Sequence, residues 1–173
     1  MFLELIATIA GGLAGAGMML LITRISAGRL PRWMVPIAAG IAMLAVTISN
    51  EYGWYGRTIA ALPDGIEVVQ TIEVSGGWRP WTWVVPFTTR FAAIDRASIR
   101  RNDAVPGQVI VDMLFYGRWS PVSKLPLLVD CDGARRAALT DDVRFGDTGT
   151  VTNADWVGIA ADDPVLIATC QEG

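Results

Sequence analysis

The chain has 173 residues, 52% hydrophobic and 18% charged, with a formal net charge of −3 that argues against nucleic acid as a partner, because phosphate binding needs a basic face. It has no histidine and only two cysteines, which removes Ser-His-Asp and Cys-His nucleophiles, imidazole-dependent zinc sites and four-Cys zinc sites. The charge is uneven: the first fifty residues hold three Arg and one acid, Glu4, while the other sixteen acids and eleven bases follow.

Leu5–Thr23 (LIATIAGGLAGAGMMLLIT) carries no charge. At 1.5 Å per residue, about 19 helical residues span about 28 Å, close to the hydrocarbon thickness of a bilayer. No Lys or Arg precedes the run, and its small residues sit in the middle rather than at a cleavage site. It therefore reads as a retained helix and not as a signal peptide. Gly11 and Gly15 are spaced four apart, as are Ala7 and Gly11, and Gly12 and Ala16. Small residues at that spacing make a groove in which another backbone can approach closely. The groove's occupant is either the chain's own second helix or a helix of another protein.

That second helix is expected over residues 33–49, with Pro36 tolerated in its first turn, where a missing N–H has no helical partner. Trp33 at one end and Tyr52, Trp54 and Tyr55 at the other suit the two membrane interfaces. Arg24, Arg29 and Arg32 all fall in the turn between the two runs. Positive charge stays cytoplasmic, so the turn is expected inside and both termini outside, which in a bacterium means the periplasm. Neither run has an ionisable residue in its middle, which argues against a proton path, channel or transporter. Residues 1–50 thus form a two-helix transmembrane hairpin (about 5–23 and 33–49), and residues 51–65 an interfacial junction. Residues 66–173 form a small periplasmic domain, mainly antiparallel β within a membrane-anchored α+β architecture.

Pro63, Asp64 and Gly65 signal a turn. Ile66–Val74 alternates, with Ile66, Val68, Ile72 and Val74 on one face and Glu67, Thr71 and Glu73 on the other, the pattern of a strand with one wet side. Trp78–Phe87 (WRPWTWVVPF) holds three of the seven Trp. Its prolines exclude a central strand. Trp78, Trp81 and Trp83 are either edge packing or an exposed patch for lipid headgroups or a partner. Gln108–Tyr116 is expected as a strand. Leu125–Cys131 and Arg135–Thr140 flank Asp132-Gly133, a hairpin dipeptide. Asp141–Asn153 reads as mostly loop and Trp156–Ile159 as a short strand. Asp163-Pro164 suits a helix start, with Asp as N-cap and Pro following. Cys131 and Cys170 are joined in an oxidising compartment, or else remain two buried thiols.

The second half resembles the surface-adhesin E-like family of small secreted bacterial domains. The features that carry the resemblance are Phe91–Arg101 (FAAIDRASIRR), Gln108–Tyr116 (QVIVDMLFY), Val129–Leu139 (VDCDGARRAAL) and Trp156 followed by Cys170. The resemblance implies an antiparallel β-rich domain with a Cys131–Cys170 disulfide. It supplies no catalytic residues, and an inner-membrane anchor does not fit an adhesin.

No P-loop, GxGxxG, CxxC or EF-hand spacing is present. Asp130, Asp132, Asp141, Asp142 and Asp147 read as turn and loop carboxylates, and Arg100, Arg101, Arg135 and Arg136 as their partners or solvated charges. No catalytic residue, metal or cofactor is expected. The expected function is a non-catalytic accessory or assembly subunit that packs laterally on a larger membrane-protein complex, of respiratory or photosynthetic type, and covers its periplasmic face. Its partners are membrane lipid and that complex. Three alternatives stand beside it. One is a freestanding envelope protein whose β-domain binds a soluble ligand or protein. Another is a hydrolase using Asp141, Asp142 and Asp147. The third is a homo-oligomer joined through Gly11 and Gly15.

Overall fold

The computed structural model describes residues 2–26, 29–75, 80–103, 105–146 and 149–170. Trp78 and Asp147 lie outside the described residues, as does the side chain of Trp81. The chain divides into two compact units, Met1–Ile59 and Ala60–Gly173.

The first unit is a pair of helices, α1 (Phe2–Ile25) and α2 (Met34–Ala60). They pack through the small residues of α1. A Cβ built on Gly11 would lie 2.7 Å from Val46 Cγ2, one on Gly12 2.7 Å from Met43 Cε, and one on Gly15 2.6 Å from Ala42 Cβ. Ala16 is half-buried and Ala7 is exposed. The helix hydroxyls bond within their own helix: Thr8 Oγ1 donates to the Glu4 carbonyl at 2.9 Å and Thr47 Oγ1 to the Met43 carbonyl at 2.9 Å.

The second helix is longer than the expected 33–49, since α2 runs on through Ala60 into the junction. Nothing in Asn50–Ala60 stops it. No proline lies between Asn50 and Pro63, and Thr58 Oγ1 donates to the Trp54 carbonyl at 2.8 Å. Arg57 lies in the last turn, where a cation complements the helix dipole.

The described residues of the second unit hold eight strands in two sheets. The strands are β1 (Ile66–Val74), β2 (Phe87–Arg101), β3 (Gln108–Gly117), β4 (Ser120–Asp130), β5 (Arg135–Ala138), β6 (Arg144–Phe145), β7 (Val151–Thr152) and β8 (Val157–Gly158). Six form one antiparallel sheet in the order β1-β2-β3-β4-β5-β8, and β6 pairs with β7. A short helix, α3 (Pro164–Cys170), packs on β1, β2 and β3. Alternate residues of the strands face it. Ala92 and Ile94, Val111 and Met113, and Leu127 and Val129 form one core with Val165, Leu166 and Ala168 of α3. Burial of each large apolar side chain there contributes about 1.5–3 kcal/mol.

The start of α3 has the expected cap: Asp163 Oδ1 accepts from the Val165 N–H at 2.8 Å, and Pro164 follows it. The Cys131–Cys170 disulfide ties the far end of α3 to the end of β4. Trp156–Ile159 contains β8, as its pattern suggests.

Two local expectations are corrected, and a third is refined. In β1, register shifts after Val68 and after Ile72 flip the alternation, because an inserted residue exchanges the two faces. Val69 therefore packs against the core, and Ile72 shifts to the face of Ala92 yet stays exposed, as does Val74. In the β4–β5 turn the positive φ falls on Ala134 (φ 45°) and not on Gly133. Gly133 is there for room, since a Cβ would lie 2.8 Å from the Asp130 carboxylate. Residues 141–153 include the β6–β7 ladder as well as loop.

Candidate functional site

Two surfaces stand out, one in each unit. The first is the outside of the helix pair. Leu5, Ile6, Ile9, Leu13, Leu20 and Leu21 of α1 and Ile37, Ile41 and Leu44 of α2 are exposed. Both helices are long and apolar enough to cross a membrane, and almost none of either is buried inside the protein. A core helix of a water-soluble fold has the opposite distribution. Trp33 is exposed beside the start of α2, and Tyr52 and Tyr55 are half-buried near its end. Trp54 is only 8% exposed, so its ring is not offered to a surface. Trp83 is exposed, followed by exposed Val84 and Val85. Arg24, Arg29 and Arg32 are all exposed.

The charged groups of the β-unit hold structure together. Asp130 Oδ2 accepts from Arg135 Nε at 2.7 Å, and its Oδ1 accepts from the Gly133 N–H at 3.0 Å. Burial pushes the Asp130 carboxyl up. The hydrogen bonds from Gly133 and Arg135 and the nearby guanidinium charge outweigh it and hold the group below the usual carboxylate range. Arg135 also lies over the Trp156 ring, 4.6 Å from its centre. Lys124 pairs with Asp112 at 2.6 Å and Arg96 with Glu67 at 2.6 Å. Asp132, Asp141 and Asp142 are exposed, as are Arg100 and Arg101. No three His, Cys, Asp or Glu side chains gather to hold a metal among the described residues.

The second surface is a cleft of about 430 Å3 in the β-unit. Strand register builds it from two neighbouring cross-strand rows. One row is Ile72, Arg90, Gly117 and Ser120, and the next is Gln70, Ala92, Phe115 and Ser123. Both rows continue the face that α3 covers, since the row after them contains Ile94, Met113 and Leu125. Seven helical residues extend only about 10 Å, whereas a fifteen-residue strand such as β2 extends about 50 Å. The helix therefore ends before the sheet does. Ile72 and Phe115 are left 48% and 39% exposed. Small side chains at Ala92, Gly117, Ser120 and Ser123 form the hollow. The intervening pair, Phe91 and Tyr116, also contributes to the lining and stacks with ring centres 4.7 Å apart.

Sequence reasoning does not single out Arg90, Phe115, Ser120 or Ser123 as site residues. The only visible signal is the alternation Arg90–Ala92, a cation beside a small residue on what becomes the core face. Neither a protein-family model, nor a curated protein, nor a solved structure matches the chain.

Proposed function

We propose that this is a non-catalytic accessory subunit of a bacterial inner-membrane complex. The helix pair spans the bilayer with the arginine turn in the cytoplasm. The β-unit stands in the periplasm, where the Cys131–Cys170 bridge persists. Lipid then covers the apolar exterior of α1 and α2, and the backbone needs no competing partner because both elements are helices.

The observation that carries the accessory role is the second face of α1. Its glycine face, Gly11, Gly12 and Gly15, is taken by α2. Ala7, Ala10, Ala14 and Gly17 recur at helical spacing on another side, and all four are exposed. A Cβ built on Gly17 meets nothing within 4 Å. Lipid tails do not drive helices together, so a smooth, small-residue face favours close packing of a further helix.

The test is purification from native membranes in mild detergent through a C-terminal tag. The reading expects one stoichiometric membrane complex from the wild type. Ala14→Leu with Gly17→Leu should release it while leaving the subunit in the membrane. Elution of the wild type alone, at a monomer's size, contradicts the reading.

A further inference from the structure

We propose that the cleft at the uncovered end of the β-unit binds a small amphipathic carboxylate, of the medium-chain fatty-acid type. Three features of the two rows that form the cleft suit such a ligand. The first is charge. Arg90 is the one charged residue among the lining residues. Its guanidinium has no ion-pair or hydrogen-bond partner among the described residues. It stands opposite Gly117 in the β2–β3 register, and a Cβ at that position would already lie 3.8 Å from Arg90 Cγ. The first atom that a side chain at 117 would meet is the Ser120 hydroxyl, so glycine there makes room for Ser120 beside Arg90. A carboxylate fits that fork with two parallel N–H···O bonds.

The second feature is the apolar floor. Ile72, Ala92 and Phe115 come from three adjacent strands and share one face. Two of the three are exposed although they continue the core face. Their exposure leaves apolar surface in water that an aliphatic body would cover. The third is size. The volume lies within the range of roughly 300–1,000 Å3 typical of small-molecule sites and is too small for a folded partner. Ser120, Ser123 and Gln70 give the cleft hydroxyl and amide groups at its rim, where an acid group and its water would sit. A neutral lipid gains nothing from Arg90, and a dianionic headgroup would meet only one cation.

The test uses the full-length protein in lipid nanodiscs and a decanoate carrying a photoreactive diazirine on its chain, with labelled peptides mapped by mass spectrometry. The matching diazirine alcohol has the same body without the charge. The acid is expected to label peptides containing residues 70–72, 90–92 and 115–123, and excess plain decanoate should compete it away. Arg90→Gln should lower that labelling by up to about fivefold, the upper range for a charge-assisted pair at an exposed position such as this one. Ser123→Trp, at an exposed position, should block the cleft and abolish the labelling. Both substituted side chains lie at the surface, so unchanged circular dichroism and an intact disulfide are expected. Equal labelling by the alcohol, indifference to Arg90→Gln, or label confined to α1 and α2 would each overturn the proposal. The map of labelled positions separates these outcomes from a failure of the membrane reading, which would instead leave the protein outside the nanodisc.

Discussion

The two units use apolar side chains in opposite ways. In the β-unit the large ones are inside: Phe91, Ile94, Val111, Leu128 and Val129 are almost fully buried. In the helix pair the inward positions of α1 are Gly11, Gly12 and Gly15, and the leucines and isoleucines point outward. Water drives the first arrangement, because it expels apolar surface. It cannot drive the second. Close packing of small residues, with apolar side chains left on the outside, is the arrangement expected of helices in an apolar solvent, which the proposed membrane span would supply. A high hydropathy therefore means two different things in one chain, and only the pattern of small residues distinguishes them.

The comparison can be broken at either end. The largest effect is expected from Cys131→Ser with Cys170→Ser. The bridge spans a sequence separation of 39 residues and is worth about 4 kcal/mol in the chain-entropy treatment. Denaturation of the β-unit, followed by near-UV circular dichroism, should shift by that amount, and the helix signal should not. Gly11→Leu with Gly15→Leu should do the reverse. Each leucine overpacks the α1–α2 contact at a cost of about 1–3 kcal/mol. Cysteines placed at facing positions of the two helices should then lose their crosslink, while the β-unit melts as before. Equal damage to both units would erase the contrast.

Two smaller effects sharpen it. Asp163→Ala removes the cap of α3 and should lower β-unit stability by about 1 kcal/mol. Gly at the same position should cost only a few tenths. Asp130 has a folded-state pKa below its unfolded value, so its contribution is present above the unfolded value, about 3.9, and is lost as pH falls through the folded one. Stability of the wild-type β-unit should decline in that acid window. Asp130→Asn should be less stable at neutral pH and show a shallower decline. An unchanged slope would mean that the Gly133 and Arg135 bonds do not couple to folding.

Much of this was legible from the chain. Ile66–Val74 and Gln108–Tyr116 announce themselves by alternation, and Asp163-Pro164 by cap chemistry. The first helix is marked by a charge-free run. Other parts depend on what lies far away in sequence. Helix α2 continues through Asn50–Ala60 although polar residues dilute its hydrophobicity there. Ser120–Lys124 becomes strand because it pairs with Leu114–Gly117, despite Pro121. The β1 bulges decide that Val69, and not Ile72, joins the core, and no local pattern fixes them. The cleft is the extreme case. Arg90, Phe115 and Ser123 are unremarkable in sequence, and only register sets them in two adjoining rows.

The account turns on which side of the membrane each part occupies. The most direct measurement fuses alkaline phosphatase, active only in the periplasm, after Leu30 in one chain and after Gly173 in another. The account predicts a membrane-bound, active enzyme at Gly173 and an inactive one at Leu30. Activity at Leu30 with none at Gly173, or active enzyme released into the soluble fraction, would contradict it.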